Sequence, residues 1–186
     1  AVRAKLPENP AHRRKRLQAA WSFSDLEFRD VLNADLLDQV EATVAAGAQP
    51  QSARKWWTGE LARLANSQSV TPAELAITPV QVAEIQQLID AGELTDRLAR
   101  EVVAGVLAGE GDPSDVVEKR GLKVVTDEGA LVAAIDAALA SQPDVLEKIR
   151  EGKVQAAGAV IGAVMKAMGG QADAARVREL ILERAK

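Results

Sequence analysis

Helix-opening signals recur throughout this chain, and that recurrence limits what it can fold into. Ser24-Asp25-Leu26-Glu27 reads as a capping box, in which serine takes a free backbone N–H and glutamate reaches back to the cap. Thr71-Pro72-Ala73-Glu74 and Thr78-Pro79-Val80-Gln81 each put threonine at the cap and proline at the first helical position, with an acid or amide three residues on. Gly47, Gly92, Gly109 and Gly121 supply stops. Between these signals apolar residues recur at three and four positions. The stripes are Leu26, Val31 and Leu32; then Leu36, Leu37, Val40 and Val44; then Trp56, Trp57, Leu61 and Leu64. Val82, Ile85, Leu88 and Ile89 form the next, and Leu98, Val102 and Val106 the one after.

The second half continues the pattern. Asp112-Pro113 opens a short helix, and Leu122-Lys123-Val124-Val125 reads as an extended connector. Helices follow on Leu131, Ile135 and Leu139, after Pro143, from Lys153, and on Val177, Leu180 and Ile181. Aromatics make up only 3% of the chain and tyrosine is missing, so the cores are aliphatic, which favours helices over a sandwich of strands. The fold class predicted is all-α, in two small helical units. Turn signals at Gly109-Glu110-Gly111-Asp112-Pro113 and Ser141-Gln142-Pro143 place the division between Gly109 and Pro143.

Several kinds of chemistry are excluded. There is no cysteine and one histidine, His12, which removes disulfides, thiol nucleophiles and multi-histidine metal sites. No phosphate-binding loop or nucleotide fingerprint is present. Glu27 and Asp30, three apart on a helix, read as a solvated face. The expectation is therefore no catalytic residue, no metal site and no cofactor within these residues. The longest weakly polar run, Val154 to Met165, is shorter than the ~20 residues of a membrane span, and no leader is visible at Ala1, so a cytoplasmic protein with no membrane partner is expected.

A net charge of −4 conceals an uneven distribution. Arg3, Lys5, Arg13, Arg14, Lys15 and Arg16 face Glu8 alone in the first twenty residues, the stretch from Glu93 to Glu128 is acidic, and the chain from Asp144 is mildly basic. Nucleic acid is therefore not excluded as a partner. The adjacent Trp56 and Trp57 diverge by about 100° on a helix, so one is expected inside and the other against a neighbour or at an interface.

The segment from Gln142 to Asp173 carries the main lead. Its helix keeps Gly158 and Gly162 in the interior, at a cost of about 1 kcal/mol each relative to alanine. Such glycines let another backbone come close, whether of a helix or of nucleic acid. Lys153 and Lys166 flank the helix and Gly169-Gly170 ends it. Val154, Gly158, Ile161, Met165 and Met168 are expected on its core stripe.

The pattern Pro143, Gly152-Lys153, Gly158, Gly162, Met165-Lys166, Gly170, Ala172 resembles the tail of the B-subunit family of glutamine-dependent Asp-tRNA/Glu-tRNA amidotransferases. The same tail occurs in its archaeal E-subunit relative and in YqeY-like proteins. Leu6-Pro7, Arg13 to Leu17, Phe23-Ser24-Asp25-Leu26, Trp57, Glu60-Leu61 and Ile77-Thr78-Pro79 resemble the helical domain that precedes this tail. The resemblance implies that residues 1–20 are a linker or first helix after a cradle domain, 21–110 a helical domain and 111–186 a YqeY-like tail. It further implies that the parent is a ligase of protein biosynthesis. ATP and Mg²⁺ are bound in the cradle, and a partner amidase and a small accessory subunit complete a heterotrimer. The helical and tail domains would hold misacylated Asp-tRNA or Glu-tRNA, through Lys153, Gly158, Gly162, Lys166 and Gly170. The alternative is a protein-interaction module that docks a partner subunit through the glycine-containing helix.

Overall fold

The computed structural model describes residues 8–125 and 128–185. Arg3, Lys5, Leu6 and Pro7, drawn on above, lie outside the described residues. The described chain is helical throughout, with no strand. It divides into two compact units: residues up to Gln87 with Val106–Gly109, and Leu88–Gly105 with the residues from Glu110 on.

The first unit runs through α1 (Pro10–Trp21), α2 (Asp25–Asn33), α3 (Leu37–Ala45), α4 (Pro50–Lys55), α5 (Leu61–Gln68) and most of α6 (Pro79–Asp90). Two of the expected helix starts hold as drawn. Ser24 and Glu27 exchange their capping bonds, and so do Thr78 and Gln81. Thr71 and Glu74 also close a box, but it opens only the 3₁₀ turn Pro72–Glu74. Pro79 lies too close for a helix to run on, because a proline disfavours helical geometry in the residue before it.

Leu26 corrects the reading of α2. It is 61% exposed, and Phe28 and Val31 make the buried face instead. Trp21 stacks at a tilt on Phe23 and Phe28, with centroids 5.4 and 6.3 Å away, while the Arg54 guanidinium sits over Phe23. All five aromatic residues fall in this unit, so the second core is purely aliphatic.

Between α4 and α5 the helix continues through a π turn, Trp56–Glu60, where the Leu61 N–H bonds to the Trp56 carbonyl five residues back. The sequence shows why the turn is wide. Ala53, Trp57, Leu61 and Ala65 are all buried at a strict spacing of four. Twelve residues of ordinary α-helix would leave the first and last about 120° out of register. One wider turn brings them back onto a single face. Trp57 is the inside member of the pair, its indole N–H donating to Thr43 Oγ1 at 2.8 Å. Trp56 is half-buried and donates to Gln86 Oε1 at 2.9 Å, so it packs within its own unit.

The capping carboxylate of α2 gives this unit an acid sensitivity. The Ser24 backbone N–H holds the Glu27 carboxyl below the usual carboxylate range, helped by the Ser24 hydroxyl, the Gln51 amide and Arg54. A carboxyl whose folded value is depressed adds stability above its unfolded value, and that stability is lost as pH falls through the folded one. Glu27→Gln is expected to flatten the fall in melting temperature between about pH 5 and pH 3. Melting curves with the same pH slope in wild type and variant would refute this.

The second unit contains α7 (Asp96–Leu107) up to Gly105, α8 (Pro113–Arg120), α9 (Glu128–Ser141), α10 (Pro143–Arg150), α11 (Ala157–Ala167) and α12 (Ala174–Ala185). Gly105 lets α7 meet α8 closely, since a Cβ there would lie 2.5 Å from the Val116 side chain. The extended connector 122–125 is not a strand. It is pinned singly, by the Val124 N–H to the Glu93 carbonyl and the Val125 N–H to the Gln171 carbonyl. Helices α9 to α12 close around Leu131, Ile135, Leu139, Val160, Val164, Val177 and Ile181. No single described helix is long and apolar enough to cross a membrane.

Candidate nucleic-acid interface

Helix α11 is central to the tail, packing against α9, α10 and α12. Its buried face is Ala157, Val160 and Val164. That corrects the expected core stripe: Ile161, Met165 and Met168 are only partly buried, Val154 is 37% exposed and Gly158 is exposed. The small Ala157 and the β-branched Val160 and Val164 fit the narrow space between three helices, while the longer side chains fill its margins.

The remaining face of α11 points outward. Gly158 and Gly162 are both exposed, and a Cβ built on either meets no heavy atom within 4 Å. Among the described residues, these glycines therefore seat no neighbouring helix. With exposed Ala159 they form a short bare strip in the first half of the helix, from which nothing larger than a methyl group projects. That helix is about 16 Å long. Lys166 continues the four-residue spacing at the far end, exposed and without an ion pair among the described residues. Its charge suits the last turn, where the helix dipole is negative. Lys153 stands before the other end, exposed and 3.2 Å from Glu151.

The end of α11 is a glycine-terminated cap. The Gly170 N–H bonds to the Met165 carbonyl at 2.7 Å, and the Gly169 N–H to that of Lys166. Both glycines have positive φ, +60° and +77°, as such caps require. Gly170 is buried beneath a side chain: the Arg97 guanidinium, from α7, lies where a Cβ would be, 1.8 Å from Nη2. Arg97 Nη2 donates to the Gly169 carbonyl at 2.6 Å.

The basic run of α1 is largely spoken for. Arg13 pairs with Asp38 and Glu41, and Arg16 with Glu8 and Glu41, leaving Arg14 and Lys15 exposed.

The GatB domain family matches residues 38–184. This chain belongs to that family. It is 70% identical over 184 residues to the B subunit of the aspartyl/glutamyl-tRNA(Asn/Gln) amidotransferase of Leifsonia xyli subsp. xyli, covering 99% of this chain and 37% of the relative. The corresponding B subunit of Kineococcus radiotolerans is 66% identical over 183 residues, and that of Nocardioides sp. 63%. Those alignments take in 98% of this chain and 36% and 37% of the relatives. The chain thus spans little more than a third of the length of the curated relatives it matches.

Within the GatB domain, the residues singled out from sequence separate into groups. Gly158, Gly162 and Lys166 share the open face of α11, Lys153 precedes it, and Gly170 lies behind the cap under Arg97. Arg97 was not legible, because it is 72 positions from its partner and no local spacing links the two.

Proposed function

We propose that this chain is a tRNA-holding region of the B subunit of an aspartyl/glutamyl-tRNA amidotransferase. In this reading it grips misacylated tRNA while the chemistry proceeds elsewhere in a longer cytoplasmic protein. ATP and Mg²⁺ would belong to that other part, residues 21–110 to a helical domain, and residues 111–186 to the tail. An amidase subunit and a small accessory subunit would complete the assembly. The observation that carries the reading is the open glycine face of α11. Glycine is kept on a helix against its propensity, yet none of the described residues uses the space. A sugar-phosphate backbone can lie against such a strip, and Lys153 and Lys166 stand at its ends to meet phosphates.

Titration with misacylated Asp-tRNA, Glu-tRNA and unrelated tRNAs at two salt concentrations tests this. Binding should weaken steeply as salt rises. Lys153→Ala with Lys166→Ala should flatten the salt slope by about 0.7–0.9 per lysine. Salt-independent binding to a partner subunit, with no tRNA binding, would instead assign α11 to protein docking.

A further inference from the structure

We infer that Arg97, on α7, is a phosphate-contacting residue of the same interface, sharing one RNA phosphate with Lys166. This inference rests on the tRNA-holding reading. Arg97, Met165, Lys166, Gly169 and Gly170 line one shallow hollow at the C-terminal end of the open face. Among the described residues its lining holds two cations and no carboxylate. The guanidinium has five N–H donors, and Nη2 spends one on the Gly169 carbonyl. Among the described residues its charge is answered only by Glu101 on its own helix, 3.4 Å from Nη1, in a pair whose side chains are 56% and 42% exposed. Such exposed pairs are weak and yield to a better partner.

Glycine at position 170 is what lets the guanidinium sit there. A side chain would occupy its place, so the cap that ends α11 also seats a cation from another helix. The Gly169 bond holds Nη2, while the Arg97 side chain as a whole stays 56% exposed and lines the same hollow as Lys166. A phosphate diester with two free oxygens fits a guanidinium fork on one side and an ammonium on the other.

The test is tRNA titration across salt with Arg97→Gln, Arg97→Lys and Glu101→Gln. Glutamine keeps a polar, hydrogen-bonding side chain at this position but carries no charge. Arg97→Gln should keep the wild-type melting temperature and lower the salt slope by about 0.7–0.9. Arg97→Lys should restore most of that slope. Glu101→Gln, which frees the guanidinium, should tighten binding about two- to fivefold at low salt. The inference fails if Arg97→Gln folds and binds with an unchanged slope. Should Arg97→Gln misfold, unchanged affinity in Glu101→Gln overturns it.

A slope lowered by the two-lysine substitution but not by Arg97→Gln leaves the tRNA reading standing and removes Arg97 from it. No tRNA binding by the wild-type chain overturns both. Inorganic phosphate, titrated at matched ionic strength, separates a free-anion site from an RNA contact. If phosphate binding depends on Arg97 while tRNA binding does not, the RNA assignment is wrong.

Discussion

Replacing Trp57 with alanine is expected to lower stability by about 3–5 kcal/mol, the largest effect of any single substitution considered for this chain. Trp57 is 1% exposed and lies in the middle of the row Ala53, Trp57, Leu61 and Ala65. Its removal leaves a void the size of an indole among residues that are themselves fully packed. It also removes a buried hydrogen bond, since the Trp57 N–H donates to Thr43 Oγ1, which is 0% exposed. Thr43 donates onward to the Gln39 carbonyl at 2.7 Å, so its hydroxyl keeps one partner when the indole goes. Trp57→Phe should therefore cost much less, mainly the missing volume. Urea denaturation followed by circular dichroism measures both. A loss below about 1.5 kcal/mol for the alanine variant would mean that the site collapses around the gap.

The second large effect has opposite signs in two measurements. Gly158→Ala with Gly162→Ala should raise the stability of the tail by up to about 2 kcal/mol, from helix propensity alone. Both new methyl groups point into open space, and neither glycine has the positive φ that would strain alanine. On the proposed reading the same variant should bind tRNA at least tenfold more weakly, a loss of about 1.4 kcal/mol, because two methyl groups then stand between helix and RNA. A more stable variant with undiminished tRNA affinity would move the RNA contact off α11. A less stable one would contradict the open geometry of this face.

Much of the fold was legible because helix signals are local. A capping box spans four residues, and the stripes on Leu98, Val102 and Val106 or on Leu131, Ile135 and Leu139 can be read by counting. Failures came where space, not spacing, decides. Thr71 carries as good a start signal as Thr78, but Pro79 arrives before a helix can grow. Leu26 satisfies the apolar spacing of α2 and is nevertheless on the outside. For α11, hydropathy favours the Ile161 and Met165 side, whereas the room between three helices admits Ala157, Val160 and Val164. The candidate site was legible as a helix with two glycines and flanking lysines. Which way those glycines face, and that Arg97 covers Gly170, depend on the tertiary fold.

The wide turn at Trp56–Glu60 bears on how this helix tolerates changes in length. Removing Thr58 would turn the buried spacing of four, four and four into four, three and four. Eleven residues of ordinary α-helix return to within about 20° of the starting direction. The flanking halves would then stay in phase, with Ala53, Trp57, Leu61 and Ala65 still on one side. A residue lost from the middle of α5 would instead swing everything beyond it by about 100° and turn Ala65 away from the core. Single-residue gaps among relatives are therefore expected to gather at this turn and to spare the helical stretches on either side of it.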